Sequence, residues 1–329
     1  MHRNLQGQDL NREALSKKPE EILPIHIYGP VPSRRLGFSL GIDIIPFKTC
    51  TLDCVYCQLG NTPNKTLRRE KFFSSPEILA QIKRRLSSGQ RIDTITFSGS
   101  GEPTLNKILG ELIENIKKMT SIPVTVLTNS TLLTDKNVRK ALMQADLVIP
   151  SLDAATQEVF LKTNRPCSPL HIKEIIDGLV KFRQEFKGRI WLEVMLVKGM
   201  NDSLSHIQKL KEAASMIKPD KIQLNTVVRP PAEKSAQPLS HDELEKIKKV
   251  FGKNCEIITK FDKRQQTPPQ KDLEGTILDM IRRRPVTLSD ISVSLGRHAN
   301  EVIKYLDFLL NEGKIRSVTH KDSKYYEPT

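Results

Sequence analysis

Between Phe38 and about Glu256 the chain alternates short β-branched runs with amphipathic stretches, and this alternation restricts the fold more than any other feature. The runs Phe38–Ile45, Ile92–Phe97, Val124–Leu127, Leu147–Ser151, Ile190–Val197 and Lys221–Asn225 span four to eight residues each. They are rich in Ile and Val and bounded by turn residues, so each predicts a strand. Helices are expected between them. Pro76–Leu86 starts with Ser75 as N-cap and Pro76 at the first helical position. Leu105–Met119 places apolar residues at 105, 108, 109, 112, 113 and 116, a period near that of a helix. Thr134–Met143, Pro169–Phe186 and Leu204–Ile217 follow the same rule. Strand–helix–strand repetition implies a parallel sheet covered by helices, and six units predict a partial (β/α)6 TIM-like barrel.

The pattern changes near the C-terminus. Gln265–Gln270 is polar and holds Pro268 and Pro269, which reads as a stiff linker. The expected divisions are a flexible tail at 1–24, the barrel at 25–262, the linker at 263–271 and a second domain at 272–329. In that last stretch Leu273–Ile281 is helical, Thr287 or Ser289 caps a helix through Leu295, Gly296 turns the chain, and Asn300 leads a helix to Gly313. Lys314–Val318 and Tyr325–Glu327 then alternate around a polar turn. Three helices and a small hairpin resemble a winged helix-turn-helix domain.

Five cysteines are present, and Cys50, Cys54 and Cys57 crowd into eight residues in a C-x3-C-x2-C spacing. An odd number with such clustering fits a reducing cytosol and a metal site better than a secreted disulfide scaffold. Zinc sites usually take four ligands, in two separated pairs. Cubane iron–sulfur clusters also normally take four thiolates, so three leave one iron open to a small molecule. A zinc site completed by a second chain is the competing reading. No apolar run approaches the ~20 residues needed to span a bilayer, and the polar first 25 residues carry no secretory signal. A cytoplasmic protein is expected.

The cysteine spacing resembles the radical S-adenosylmethionine superfamily. Tyr56, just before the third cysteine, matches that family's aromatic beside the adenine. Ser98-Gly99-Ser100-Gly101-Glu102-Pro103 matches its Gly-Gly-Glu-Pro segment, with Ser100 in place of the first Gly. The resemblance implies a [4Fe-4S] cluster on the three cysteines and S-adenosylmethionine on its open iron. One electron then cleaves the cofactor to methionine and a 5′-deoxyadenosyl radical, which takes hydrogen from a substrate. It also implies that backbone carbonyls of the Ser100–Glu102 segment receive the cofactor's ammonium. Asn129 would lie near the methionine carboxylate, and Ser151 or Asp153 near the ribose. Arg165 could pair with the carboxylate through its guanidinium. Each of these also has an ordinary use as turn-former, cap or surface charge. A one-electron donor of flavodoxin or ferredoxin type is implied as partner.

A longer signature points within the superfamily. Tyr28–Gly37, Ser39–Asp43 and Gln58–Gly60, with the later Ser-Gly-Glu-Pro-Thr and Ser-Leu-Asp segments, look like prokaryotic enzymes related to those making the wyosine base of tRNA. Those enzymes carry further cysteines before the radical motif, and here no cysteine precedes Cys50. Wyosine synthesis itself is therefore not expected.

Charge bears on the substrate. The net charge is +14, and residues 272–329 are balanced, so the excess lies in the first 271 residues. Asn61–Arg91 carries eight basic residues against two acidic. Such a surface can steer RNA or another anion, or simply be solvated. Candidate substrate residues are Arg34, Arg35, Lys65, Arg68, Arg69, Glu193 and Asn225. Arg34 and Arg35 could equally tie the N-terminal segment to the barrel. The neutral C-terminal domain suits docking of a substrate or partner better than operator binding, because phosphate contacts dominate DNA affinity. The alternative is an iron–sulfur transcription regulator reading DNA through the winged helix.

Overall fold

A computed structural model describes residues 25–228, 231–258, 271–283, 285–320 and 323–329. The expected tail at 1–24 and residues 263–270 of the linker expected at 263–271 lie outside the described residues, and Lys271 is the first residue of a helix.

The chain opens with an antiparallel hairpin, β1 (Ile27–Ser33) and β2 (Gly37–Ile42). Two very short strands, β3 (Thr49–Cys50) and β4 (Asn64–Lys65), pair around the cysteine loop. Then follow α1 (Ser75–Leu86), β5 (Thr94–Phe97), a 3-10 turn at Pro103–Leu105, α2 (Leu109–Met119), β6 (Val124–Thr128), α3 (Lys136–Leu142) and β7 (Leu147–Pro150). The barrel region continues with α4 (Gln157–Thr163), α5 (Ile172–Glu185), β8 (Arg189–Leu196), α6 (Leu204–Ile217), β9 (Lys221–Thr226), α7 (His241–Phe251) and β10 (Cys255–Ile257).

One eight-stranded sheet runs in the order β1-β2-β5-β6-β7-β8-β9-β10. Among the described residues every neighbour from β2 onward in this sheet is parallel, and only β1 is antiparallel. The result is an α/β fold with a mostly parallel sheet, consistent with a partial barrel. It has two more strands than expected, β1 and β10. All four residues of β5 and of β7 are buried, as strands covered on both faces require. In β8 burial alternates. Ile190, Leu192, Val194 and Leu196 are buried, while Trp191, Glu193 and Met195 on the other face are half-buried. Helix α2 buries Leu109, Leu112, Ile113 and Ile116, one stripe at helical spacing.

Two helix starts differ from expectation. Ser74, not Ser75, is the N-cap of α1, and it makes no side-chain capping bond; Ser75 is buried inside the first turn. Helix α2 begins at Leu109 rather than Leu105. Asn106 ends the 3-10 turn in an extended conformation, and its side chain donates to the carbonyl of Ile44 at 2.7 Å.

The C-terminal residues form α8 (Lys271–Arg283), β11 (Val286–Thr287), α9 (Leu288–Leu295), α10 (Ala299–Asn311), β12 (Ile315–His320) and β13 (Ser323–Pro328). The three strands make a sheet in the order β11-β13-β12. Thr287 and Asp290 form a reciprocal capping box at the start of α9, and Gly296 ends it in the left-handed conformation at φ 55°. Leu273, Ile277, Ile281, Ile291, Val302, Leu306 and Leu309 build a core of their own, separate from the barrel core.

Candidate active site

The loops that follow the parallel strands gather at one end of the sheet, where the strand C-termini of a barrel carry chemistry. The cysteine loop follows β2, Ser98–Glu102 follows β5, Asn129 follows β6, and Ser151–Asp153 follows β7.

The cysteine loop is pinned on both sides. The Lys48 amide donates to Ser100 O at 2.8 Å, and the Glu102 amide donates to Thr49 O at 3.2 Å. On its far side, Asp53 N and Val55 N donate to the carbonyls of Asn164 and Thr163, each at 3.0 Å. Gly101 sits so tightly here that a β-carbon would fall 1.8 Å from Thr49 O.

Each of the three sulfurs receives a side-chain N–H. Asn129 Nδ2 donates to Cys50 Sγ at 3.4 Å, Asn164 Nδ2 to Cys54 Sγ at 3.4 Å, and Lys48 Nζ to Cys57 Sγ at 3.1 Å. Burial pushes the Cys50 thiol up to about 12 and Cys54 higher still. Such thiols stay neutral until a cation arrives beside them. Among the described residues no three His, Cys, Asp or Glu side chains close on one point as a single metal ion needs. Three soft thiols with donors already aimed at them suit an iron–sulfur cluster, whose sulfurs accept such hydrogen bonds.

Around the loop lies a buried polar frame. Glu102 is 2% exposed, yet it accepts from Thr104 N and Oγ1, Thr128 Oγ1 and Asn129 N at 2.6–3.1 Å. Burial raises its pKa even against those four donors. Asn129 is held in turn by Thr51 Oγ1 at 2.7 Å and by the Thr131 hydroxyl at 2.8 Å. Asp153 Oδ2 accepts from the Tyr56 hydroxyl and from Asn164 Nδ2, and Oδ1 accepts from Met195 N at 2.9 Å. Burial lifts Asp153 to about 6 despite these bonds. Burial, then the nearby Asp153 carboxyl, holds Tyr56 well above the usual phenol range. A cleft between these elements is lined by Leu52, Tyr56, Asn129, Ser151, Asp153 and Asn164.

The other candidates make contacts of their own. Arg34 and Arg35 sit on the β1–β2 turn. Arg34 donates to Asn225 Oδ1 at 3.2 Å, while Arg35 pairs with Glu193 and donates to Gln223 Oε1 at 2.9 Å. They fasten the N-terminal hairpin to β8 and β9. Arg165, in the left-handed region at φ 47°, pairs with Glu233 at 2.6 Å. Lys65 Nζ donates to Arg165 O at 3.3 Å, so these two loops meet. Arg68 projects into solvent beside Glu70, and Arg69 donates to Thr104 O at 2.9 Å.

Four residues of this site escaped the sequence reading: Asp43, Lys48, Asn164 and His298. Asp43 Oδ2 accepts from Ser100 N at 2.8 Å and from the Ser100 hydroxyl. For Asn164 a local signal existed, since it adjoins Arg165, and Asp43 closes the Ser39–Asp43 signature; Lys48 and His298 had none.

A family model for the radical SAM superfamily matches residues 44–210. The chain belongs to the radical SAM superfamily. Radical SAM proteins use a [4Fe-4S] cluster and S-adenosylmethionine. Among curated relatives, GTPase Obg of Brachyspira hyodysenteriae is 39% identical over 304 residues, covering 92% of this chain and 45% of its own length. UPF0026 protein MJ1312 of Methanocaldococcus jannaschii is 33% identical over 306 residues, covering 91% and 94%. A chain named dual-specificity RNA methyltransferase RlmN, from Thermotoga sp. strain RQ2, is 28% identical over 215 residues, covering 62% and 59%. This radical SAM chain thus spans less than half of the first relative and nearly all of the second. No helix among the described residues is long and apolar enough to cross a membrane.

Proposed function

We propose that this radical SAM protein is an enzyme that cleaves S-adenosylmethionine reductively and uses the resulting radical on an anionic substrate, RNA by preference. The observation that carries the reading is the set of three thiols, each given its own N–H donor, on a loop whose backbone bonds to the Ser98–Glu102 turn. Cys50, Cys54 and Cys57 would hold the [4Fe-4S] cluster. When bound, cluster and cofactor together supply a 5′-deoxyadenosyl radical able to take hydrogen from carbon.

The chain's own residues bind, orient and exclude water. Backbone carbonyls of Ser100–Glu102 would accept from the cofactor's ammonium. Asn129 would address its carboxylate, with Arg165 on the opposite loop. Tyr56 would lie against the adenine. Asp153 and Ser151 would accept from the ribose hydroxyls, and the three donors on Asp153 fix its carboxyl for that task. The electron would come from a flavodoxin or ferredoxin type of donor, and a reducing cytosol suits the chemistry.

For the substrate we favour RNA because the loop after the cluster, Lys65, Arg68 and Arg69, is basic and borders the same end of the sheet, and because one relative carries the name of a probable RNA methyltransferase. A kinship to wyosine-type enzymes is part of this reading, without their second cluster. We take 25–262 as the catalytic barrel and 272–329 as a winged-helix module that docks substrate or a partner. Against a DNA-reading regulator stand the buried His298 and Asn300 at the start of α10, the helix that would have to enter the groove. The test is anaerobic reconstitution with iron and sulfide, reduction with dithionite, and assay for 5′-deoxyadenosine. Absence of that product from a cluster-loaded protein would refute the enzyme reading. Nucleoside profiling of RNA from a deletion strain tests the substrate, and an unchanged profile would exclude RNA.

A further inference from the structure

His298 belongs to the C-terminal unit yet reaches the cofactor end of the barrel. It is the N-cap of α10 and is 9% exposed. Its Nε2 lies 2.8 Å from Asp43 Oδ2, and Asp43 is 5% exposed. Its Nδ1 accepts from the Asn300 amide at 3.1 Å. With Nδ1 accepting that amide, Nε2 is the nitrogen left to donate to Asp43.

Asp43 is the residue that holds Ser100. The same Oδ2 accepts from Ser100 N and its hydroxyl, and Oδ1 accepts from Ile45 N at 3.1 Å. Its carboxyl lies so close to Gly99 that a β-carbon there would sit 2.2 Å from Asp43 Cγ. The His298 ring also stacks on Tyr28, centroids 4.5 Å apart at 16°, and the Tyr28 hydroxyl bonds Ser98 Oγ at 2.7 Å. Two residues of the Ser98–Glu102 segment therefore hang on a chain of contacts that ends in the C-terminal unit. That unit has its own apolar core, and His298 is not among the residues that build it.

We infer that His298 is a positioning residue for the cofactor, acting through Asp43 on the Ser100 backbone. This rests on the function proposed above. A buried carboxylate that loses one of its donors is left under-satisfied, and of the donors that remain, Ile45 N, Ser100 N and the Ser100 hydroxyl, two belong to the segment that would meet the cofactor's ammonium. The C-terminal unit is then a working part of the cofactor site rather than a tethered accessory.

The experiment uses the full chain, loaded with cluster anaerobically. His298→Phe keeps the ring stacked on Tyr28 but removes the N–H, whereas His298→Gln restores an N–H at similar reach. Affinity for S-adenosylmethionine is measured by isothermal titration, together with the change in the EPR signal of the reduced cluster on adding the cofactor. Iron content and thermal midpoint serve as structural readouts. The Phe variant is expected to bind about tenfold more weakly, the size of one lost buried hydrogen bond. Iron content should stay at the parent's level and the Gln variant should recover most of the affinity. Equal affinity and an equal EPR response in parent and Phe variant overturn the inference. So does a loss that comes with lost iron or that Gln fails to restore. A parent protein that holds its cluster but binds no cofactor overturns the proposed function itself, and this role with it.

Discussion

Gly101→Ala should damage the cluster loop more than any other single methyl addition to a glycine that the structure describes in a non-left-handed conformation. The added carbon would lie 1.8 Å from Thr49 O, 2.7 Å from Ile45 Cγ2 and 2.8 Å from Thr49 C. Two of these atoms are backbone, so no rotamer change relieves the clash. The two loops must part by about 1 Å, since packed carbon atoms do not approach closer than ~3 Å. Thr49 immediately precedes Cys50, and its carbonyl accepts the Glu102 amide at 3.2 Å. Overpacking costs about 1–3 kcal/mol, and a stretched hydrogen bond adds roughly 1 kcal/mol. The total, about 2–4 kcal/mol, is a large fraction of a typical 5–15 kcal/mol stability. The apo variant should denature at a lower guanidinium midpoint with an unchanged m-value. After reconstitution it should carry less iron and sulfide per chain and show a weakened cluster EPR signal. Gly275→Ala is the control, because nothing lies within 4 Å of a carbon added there and α8 gains a better helix former. If Gly101→Ala matches the parent in midpoint and iron content, the tight contact between these loops does not exist in solution.

Further outcomes follow from other groups. Cys50→Ala, Cys54→Ala and Cys57→Ala should each lose most bound iron, whereas Cys167→Ala and Cys255→Ala should keep it; iron analysis after anaerobic loading decides. Lys48→Met removes the donor 3.1 Å from Cys57 Sγ and should lower the cluster's reduction potential by on the order of 100 mV, read by EPR-monitored redox titration. No change, or a rise, would show that Lys48 does not face the cluster. Asp153, lifted by burial from 3.8 to about 6, keeps its proton in the folded chain where the unfolded chain has lost it. The native state then binds more protons between pH 4 and 6, so this group's contribution to stability falls as pH rises through that window, by up to roughly 3 kcal/mol. Asp153→Asn should remove that slope from a denaturant series against pH, and identical slopes in variant and parent would refute the assignment.

What the sequence disclosed was local. The spacing of Cys50, Cys54 and Cys57 is covalent and needs no fold to be read. Strands β5, β6 and β7 announced themselves because a strand buried on both faces must be apolar and β-branched, and β8 did so by its alternation. Strand β1 did not, since Tyr-Gly-Pro-Val-Pro shows no alternation and carries two prolines. Strand β10 is only three residues long. Helix α7 was missed although Ser240 and Glu243 form a capping box at its start, a signal present in the sequence. The partners of Asp43 were beyond local reading. Ser100 lies 57 positions away and His298 lies 255 away, and no periodicity links residues that meet only in the folded chain. Arg35 and Glu193 carry the same lesson. Read singly, each invites a ligand; in the fold they neutralise each other.

The prolines that hid β1 also shape what the molecule does in company. β1 is one border of the eight-stranded sheet, and Pro30 and Pro32 have no amide hydrogen to offer a neighbour. A register shift between Tyr28 and Val31 bends the same border out of line. At the opposite border β10 is too short to template a partner strand. An open sheet so blunted at both rims resists recruitment of another molecule into a continuous ribbon. Such rims leave the chain little exposed backbone with which to add a copy of itself.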